Sequence, residues 1–480
     1  MQLPYRINGC ETEGSMSKAR RTANAKKETS IETVEDAGSC KALYLDTPAG
    51  KRESFERARR IGLWDAYYEG APYENHREWR NLLNYSYDVE PPTIIVNYPR
   101  IVIDRPAHFA FDRMRGAVAA DPSLQEFVAS VVSANELLKL LREICVEASV
   151  KGDCLLVFDF DPTNPDNPFP IKLIGADDFA VECDPLDPSH ARYFRIERSL
   201  LGSDGKKVAV REELHLDKLL CFKAEPARGR GIWGTGSALS LLGLAPDDAL
   251  EWRVTSYKRN PFGFIPAVHL QNRKRSGRAY GESDLADLLT IFDDINWKLT
   301  QRSRNISRTM NAILKNVNGR ILNEYVSEDA VLNVIGENAQ VDYLVNDADM
   351  SEISTHLAEL RRAVSEISGV TLLDPEKFTG FGAMSGFALS VLYEPLIAVA
   401  EQKRVVVGGA MERLLSMIAR AAAKLGILES EPTSFDVKLT YGSMFRLSES
   451  ELFDRQARLI GGMHEGIYTP EYVSQVLANE

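Results

Sequence analysis

The sequence predicts an α+β fold in which strands and helices occupy separate stretches of the chain. Three observations carry that reading. Residues 153–225 hold short apolar runs separated by Pro, Asn, Asp and Gly, the mark of a β-rich module. Residues 282–311 and 353–367 carry long apolar stripes at helical spacing. A further helical stretch runs from about Ser385 to Leu425.

Taken in order, residues 1–50 are rich in Ser, Thr, Glu and Lys and read as a flexible arm. Ser54 to Tyr85 reads as helix, with Phe55, Trp64, Tyr67, Tyr68, Trp79 and Tyr85. The run from Thr93 to Asp104 follows Pro91-Pro92 and reads as a short buried strand or a strand–helix junction. Residues 122–150 read as one amphipathic helix, with Asp121 as cap and Pro122 in its first turn. Within the β-rich module, Cys154–Phe158, Ile171–Ile174 and Leu219–Phe222 are the strand candidates, and Ser203-Asp-Gly205 a hairpin turn. Asn260 to Pro266 is a turn-rich connection.

The helix expected over 282–311 places Ile291, Phe292, Ile295, Leu299, Ile306 and Met310 on a stripe about 100° wide. Glu282, Asp284 and Asp287 crowd its start, and Lys298, Arg302, Arg304 and Arg308 its second half, an order that suits the helix dipole. Residues 312–350 read as short β elements. They hold two basic residues, Lys315 and Arg320, against seven acidic ones, Glu324, Glu328, Asp329, Glu337, Asp342, Asp347 and Asp349, a net charge of −5. Ile353, Leu357, Leu360, Val364 and Ile367 then form a 4-3-4-3 seam that ends at Gly369. After a glycine-bearing loop, the stretch 385–425 contains Pro395, expected to kink it, and Gly408-Gly409, a second weak point. Residues 435–447 read as a strand and its turn, and 448–480 as two closing helices.

Composition narrows the function. A chain of 480 residues, 44% hydrophobic and 26% charged, has enough to bury for two or three domains. The net charge of −12 argues against a protein that grips DNA through its phosphates. The six cysteines are scattered without a Cys-x-x-Cys pair, against a disulfide framework or a zinc site, and a reducing cytoplasm is the expected compartment. Neither a leader peptide nor a membrane span is expected.

A search for chemistry returns little. Gly202-Ser-Asp-Gly205 has the wrong spacing for a phosphate loop, and Gly231-Ile-Trp-Gly-Thr-Gly236 lacks the lysine; both read as turns. The seven histidines are too far apart for a metal pair. The run Asp159 to Asp166 lacks the glycine and closing glutamate of a calcium loop. The pairs Asp177-Asp178, Asp247-Asp248 and Asp293-Asp294 read as solvated or capping carboxylates, since adjacent helical residues do not share a face. The cluster Arg273-Lys-Arg275 with Arg278 reads as a solvated loop, with phosphate or an acidic neighbour as possible partners. No catalytic, cofactor or metal residue is nominated.

The order of segments is informative where single motifs are weak. Asn260 to Val268, Gly281-Glu-Ser-Asp-Leu285 with Asp294-Ile-Asn296, and Met384-Ser-Gly-Phe-Ala-Leu389 occur in that sequence. So do Tyr67-Tyr-Glu-Gly70, Asn97 to Asp104 and Ile460 to Pro470. Over residues 50–475 this resembles the portal proteins of long-tailed, double-stranded DNA phages. The resemblance implies a portal-like fold with these parts: arm 1–50, wing 51–280, stem helices 281–311 and 351–369, clip 312–350, tunnel loop 370–384, long wing helix 385–434, and strand and crown helices 435–480. It implies a non-enzymatic cyclic homo-oligomer, usually a 12-mer, at one capsid vertex, made in the host cytoplasm. Its partners would be double-stranded DNA, the terminase large subunit, the major capsid or scaffold protein, and a head-completion or adaptor protein. Thr371, Asp374, Lys377, Thr379, Gly380 and Gly382 would lie along the tunnel. Glu324, Glu328, Asp329 and Glu337 would face the motor, and Lys298, Arg302, Arg304 and Arg308 would belong to the stem. An acidic lining would keep DNA from sticking. The alternatives are a diverged nucleotide-dependent packaging enzyme, which should show a phosphate loop, and a minor capsid scaffold protein, which should form no DNA-sized ring.

Overall fold

The computed structural model describes residues 48–73, 91–184, 190–201, 207–226, 250–310, 313–322, 334–344, 350–372, 391–428, 430, 432–442, 444, 449–470 and 473. Its elements, in chain order, begin with α1 (Pro48–Glu69), α2 (Tyr98–Phe111), β1 (Met114–Ala119), α3 (Gln125–Ala134) and α4 (Leu137–Lys151). There follow β2 (Asp153–Phe158), β3 (Ile171–Gly175), β4 (Phe179–Cys183), β5 (Ala191–Leu201), β6 (Lys207–Leu214), β7 (Lys218–Pro226), β8 (Leu250–Arg259) and β9 (Ala267–Gln271). The last third holds α5 (Leu289–Met310), β10 (Ile313–Val317), β11 (Arg320–Ile321), β12 (Val334–Ile335), β13 (Gln340–Leu344), α6 (Met350–Ser368), α7 (Glu394–Lys403), α8 (Gly409–Lys424), β14 (Val437–Tyr441) and α9 (Glu449–His464).

The chain divides into two compact units: residues 1–58 with 177–267 and 277–279, and residues 59–176 with 268–276 and 280–480. The first is built on an antiparallel sheet in the order β4-β5-β6-β7-β8. Its apolar side carries Phe179, Val181, Phe194, Ile196 and Leu214, all buried and on one face by register. The opposite face carries Glu182, Arg195, Arg211 and Glu213, also buried. Arg195 Nε lies 3.6 Å from Glu213 and Arg211 Nε 2.7 Å from Glu197, so each cation meets a carboxylate on the adjacent strand. The Arg211 guanidinium also stacks 4.1 Å from the Trp252 ring. Arg57 of α1 donates to the Phe179 carbonyl at 3.1 Å.

The second unit packs α2, α4 and α8 around a smaller sheet, β3-β2-β9. All six residues of β2 are buried, the signature of a central strand covered on both faces. The β-rich module read over 153–225 is thus divided between two sheets, because β2 and β3 pair with β9 rather than with β4.

Four local expectations change. The helix over 122–150 is two helices. Asn135 turns its amide outward to accept from Ile171 N–H and donate to Phe169 O, and Glu136 takes a left-handed φ of 46°. Asp121 does cap the first turn, accepting from Ser123 N–H at 2.9 Å. Thr93–Val96 forms no strand, because its backbone donors go to side chains of α5, and α2 begins at Tyr98 with Pro99 in its first turn. The helix expected from 282 begins at Leu289. Pro395 breaks the helical run rather than kinking it: residues 391–392 are helical, Tyr393 turns, and Pro395 stands in the first turn of α7, where its missing N–H costs nothing. The weak point at Gly408-Gly409 is real. Residues 404–408 wind as a π turn between α7 and α8, and a methyl on Gly408 would strike the Tyr441 hydroxyl. The seam of α6 buries Leu357 and Val364, and Gly369 ends it at φ +68°.

Candidate functional site: a helix pair and the polar hub at its base

Helices α5 and α6 pack against each other, and the residues between them fold as β10–β13. Strand β10 runs antiparallel to β13, Ile313 facing Leu344, so the chain leaves along one helix and returns along the other. The 22 residues of α5 place about 33 Å between this small module and the segment that precedes the helix.

The segment preceding α5 is held by a dense set of hydrogen bonds. Asp153, at the first position of β2, accepts from the Gly281 N–H at 2.8 Å and lies 3.0 Å from His269 Nε2. Ser283 donates to the Ser149 carbonyl and accepts from Leu285 N–H, each at 3.1 Å. Asn272 donates to the Glu282 carbonyl at 3.1 Å and to Asp284 at 2.9 Å, and accepts from Lys403 Nζ at 2.6 Å. Lys403 also donates to Asp284. Asp153, Asn272, Ser283 and Lys403 are buried, so the cation is stripped of water and its charge is met inside the protein. Glycines make the approach possible. Gly152 holds φ +86°, and a Cβ on it would press against the backbone of Glu282 at 3.0 Å.

This geometry replaces the helix-dipole reading of Glu282, Asp284 and Asp287. All three precede the helix. Glu282 pairs with Arg275 at 2.7 Å, Asp287 with Arg273 at 3.1 Å, and Asp284 with Lys403. The basic cluster at 273–275 therefore meets acidic neighbours.

Helix α5 itself carries a buried polar stripe of Asp293, Asn296 and Thr300. Thr300 Oγ1 accepts from the N–H groups of Thr93 and Ile94, and Asn296 Oδ1 from that of Val96, at 3.0–3.1 Å. Asp293 Oδ1 accepts from both Tyr67 and Tyr73 hydroxyls at 2.6 Å. Burial raises the Asp293 carboxyl above the usual carboxylate range, against the opposing pull of the two tyrosines. The reading of Asp293 as solvated is thus wrong. Its neighbour Asp294 faces the other way, as the helical geometry requires, and meets His356 of α6 at 3.1 Å.

Of the nominated stem residues, Lys298 lies 4.0 Å from Asp294, Arg302 and Arg304 are half-buried on α5, and the side chain of Arg308 falls outside the described residues. Glu337 is exposed in the β10–β13 module; Glu324, Glu328 and Asp329 lie outside the described residues. So do Asp374, Lys377, Thr379, Gly380 and Gly382. Thr371 is described, and its carbonyl accepts from Arg105 of α2 at 2.7 Å. Just before it, Val370 is fully buried, with its N–H held by Ser368 Oγ.

The residues that tie the hub together, Lys403, Asn272 and Asp153, were not singled out from sequence. One signal was present. Lys403 stands in a helix rich in Val, Ile and Ala, where an unpaired ammonium has no place to go. Among the described residues no group of side chains is arranged to hold a metal ion, and no helix is long and apolar enough to cross a membrane.

The family model described as phage portal protein, SPP1 Gp6-like, matches residues 51–459. The chain belongs to that family of phage portal proteins. The match takes in the hub, both helices of the pair and the module between them, and stops within α9 of this portal chain. No curated protein matches it. Two solved structures resemble it: the virion of a native gene transfer agent particle, at 12% identity over 80% of this chain and 89% of that one, TM-score 0.36; and the neck of an empty gene transfer agent particle computed with C6 symmetry, at 12% identity over 79% and 87%, TM-score 0.37. The family assignment rests on the sequence match alone.

Proposed function

We propose that this portal chain assembles into a ring around a channel at one capsid vertex, through which double-stranded DNA is packaged and later ejected. The chain acts as a conduit and carries out no catalysis. The observation that carries this reading is the α5–module–α6 hairpin within a portal-family chain, fastened at its base by the Lys403 hub. In this reading α5 and α6, within 281–311 and 351–369, are the stem, and 312–350 is the clip. Residues 51–280 are the wing, 370–384 the tunnel loop, 385–434 the long wing helix and 435–480 the C-terminal strand and crown.

The exposed apolar residues Ile306 and Ile367 on the helices, and Val317, Leu322, Ile335 and Val341 on the module, support contact between neighbouring copies. A ring repeats each heterologous contact until it closes, with a dodecamer the expected number. The −5 charge of residues 312–350 then repeats around the opening and disfavours adhesion of phosphate. Glu324, Glu328, Asp329 and Glu337 are the candidates for docking the terminase large subunit and, later, the head-completion or adaptor protein. The major capsid or scaffold protein surrounds the ring. Thr371, Asp374, Lys377, Thr379, Gly380 and Gly382 line the path of the DNA, and Lys298, Arg302, Arg304 and Arg308 lie along the stem.

Electron microscopy of the purified protein viewed down the particle axis tests the proposal. A ring of about a dozen subunits, open widely enough for duplex DNA, is the expected result. A monomer or dimer without a channel, at every salt and protein concentration and also when co-expressed with capsid and scaffold proteins, overturns it.

A further inference from the structure

The chain that leaves α6 is pinned at successive points. Two serines in the last turn of the helix each make the same relay. Ser368 Oγ donates to the Val364 carbonyl at 2.6 Å and accepts from the Val370 N–H at 3.1 Å. Ser365 Oγ donates to the Arg361 carbonyl at 3.2 Å and accepts from the Leu372 N–H at 3.2 Å. A serine bonded back to the carbonyl four residues earlier has its hydroxyl proton committed, so its lone pairs are left to receive a donor beyond the helix.

The pinned stretch lies against α2 and α7, which pack together. Gly369 has φ +68° and sits so close to α7 that a Cβ on it would meet Val399 Cγ2 at 2.7 Å and the Pro395 carbonyl at 3.3 Å. Val370 is fully buried. Next to it, the Thr371 carbonyl accepts from Nη1 of Arg105, an exposed residue of α2, at 2.7 Å. A hydrogen bond from a guanidinium is charge-assisted and among the stronger kinds.

The Thr371 carbonyl and the Leu372 N–H belong to one planar peptide unit. Arg105 of α2 therefore holds the oxygen side of that plane while Ser365 of α6 holds its nitrogen side. One peptide joins two helices that are far apart in the sequence.

We propose that Arg105 is a positioning residue for DNA passage: through the Thr371–Leu372 peptide it locks the base of the segment that follows to α2. The proposal rests on the reading of 370–384 as the loop beside the DNA. Force on that loop is then carried at its base by α2 and α6 together rather than by the end of α6 alone.

Hydrogen exchange read by mass spectrometry on the full chain is the first test, with Arg105→Ala and Arg105→Lys beside the wild type. Arg105 touches neither the Val370 nor the Leu372 amide, yet both should exchange at least about tenfold faster in Arg105→Ala. Arg105→Lys keeps a cationic donor and should recover most of the protection. Unchanged exchange overturns the proposal, because the serines then suffice. Faster exchange spread evenly over α2 and α6 also overturns it, because Arg105 then serves only the stability of the unit. The second test places the same variants in assembling particles. Arg105→Ala should form rings as the wild type does and fill fewer particles with DNA. Normal filling removes the positioning role, and loss of rings in both variants assigns Arg105 to assembly instead. Absence of rings from the wild type itself overturns the underlying portal reading, whatever the exchange shows.

Discussion

The five-stranded sheet buries charge between residues close in sequence, whereas the helical unit buries it between residues far apart. Arg211 finds Glu197 fourteen positions away across one hairpin. Lys403 finds Asp284 and Asn272 at separations of 119 and 131. The first arrangement follows from the register of a single antiparallel pair. The second exists only once β9, the loop before α5 and the end of α7 are all in place. One network ties neighbouring strands of a sheet together, and the other ties the segment before α5 to the end of α7.

The largest expected effect comes from removing the Lys403 cation, which joins three segments. Lys403→Met leaves the half-buried Asp284 and the buried Asn272 acceptor without their cation, and should cost about 3 kcal/mol in urea unfolding, the low end for a broken ion pair because Asp284 keeps some contact with water. A loss below 1 kcal/mol would mean that Asp284 is rescued by water and that the hub is not a fastening point. Arg211→Ala should cost less, about 1–3 kcal/mol, because Glu197 remains partly solvated and only one charged hydrogen bond and the Trp252 stacking are lost. If the two substitutions cost the same, sequence separation does not distinguish the networks.

The smallest effect is read as pH dependence. Asp293 has a raised carboxyl pKa in the folded protein, so folding favours its protonated form. Its contribution is therefore fully present below the unfolded value, about 3.9, and is lost as pH rises through the folded value. Asp293→Asn should track the wild type below that window and become relatively more stable above it. Parallel stability curves from pH 3 to 8 would show that the two tyrosines fully offset the cost of burial.

Much of the fold was legible because local periodicity reports burial directly. The α6 seam, the acidic module of short strands and the apolar run Cys154–Phe158 of β2 follow from alternation and spacing. Helix ends were less legible. Asn135 breaks a continuous apolar pattern because its amide bonds to residues 169 and 171, which only the tertiary fold brings close. Glu282, Asp284 and Asp287 mimic a helix start because acidic residues suit a helix N-terminus in general, and nothing local reveals Lys403 waiting for Asp284.

Most element types, the acidic balance and, through the order of its motifs, the portal family are already written in the amino-acid order. Those properties are sums over local choices or over the whole chain. Which polar residues are buried, and with whom, depends on contacts made across the folded chain. Asp293 and Asp294 are adjacent and chemically identical, yet one is sealed beneath two tyrosines and the other meets a histidine of α6. A 100° turn of the helix separates them, and what lies in each direction is fixed by chain segments tens to hundreds of residues away.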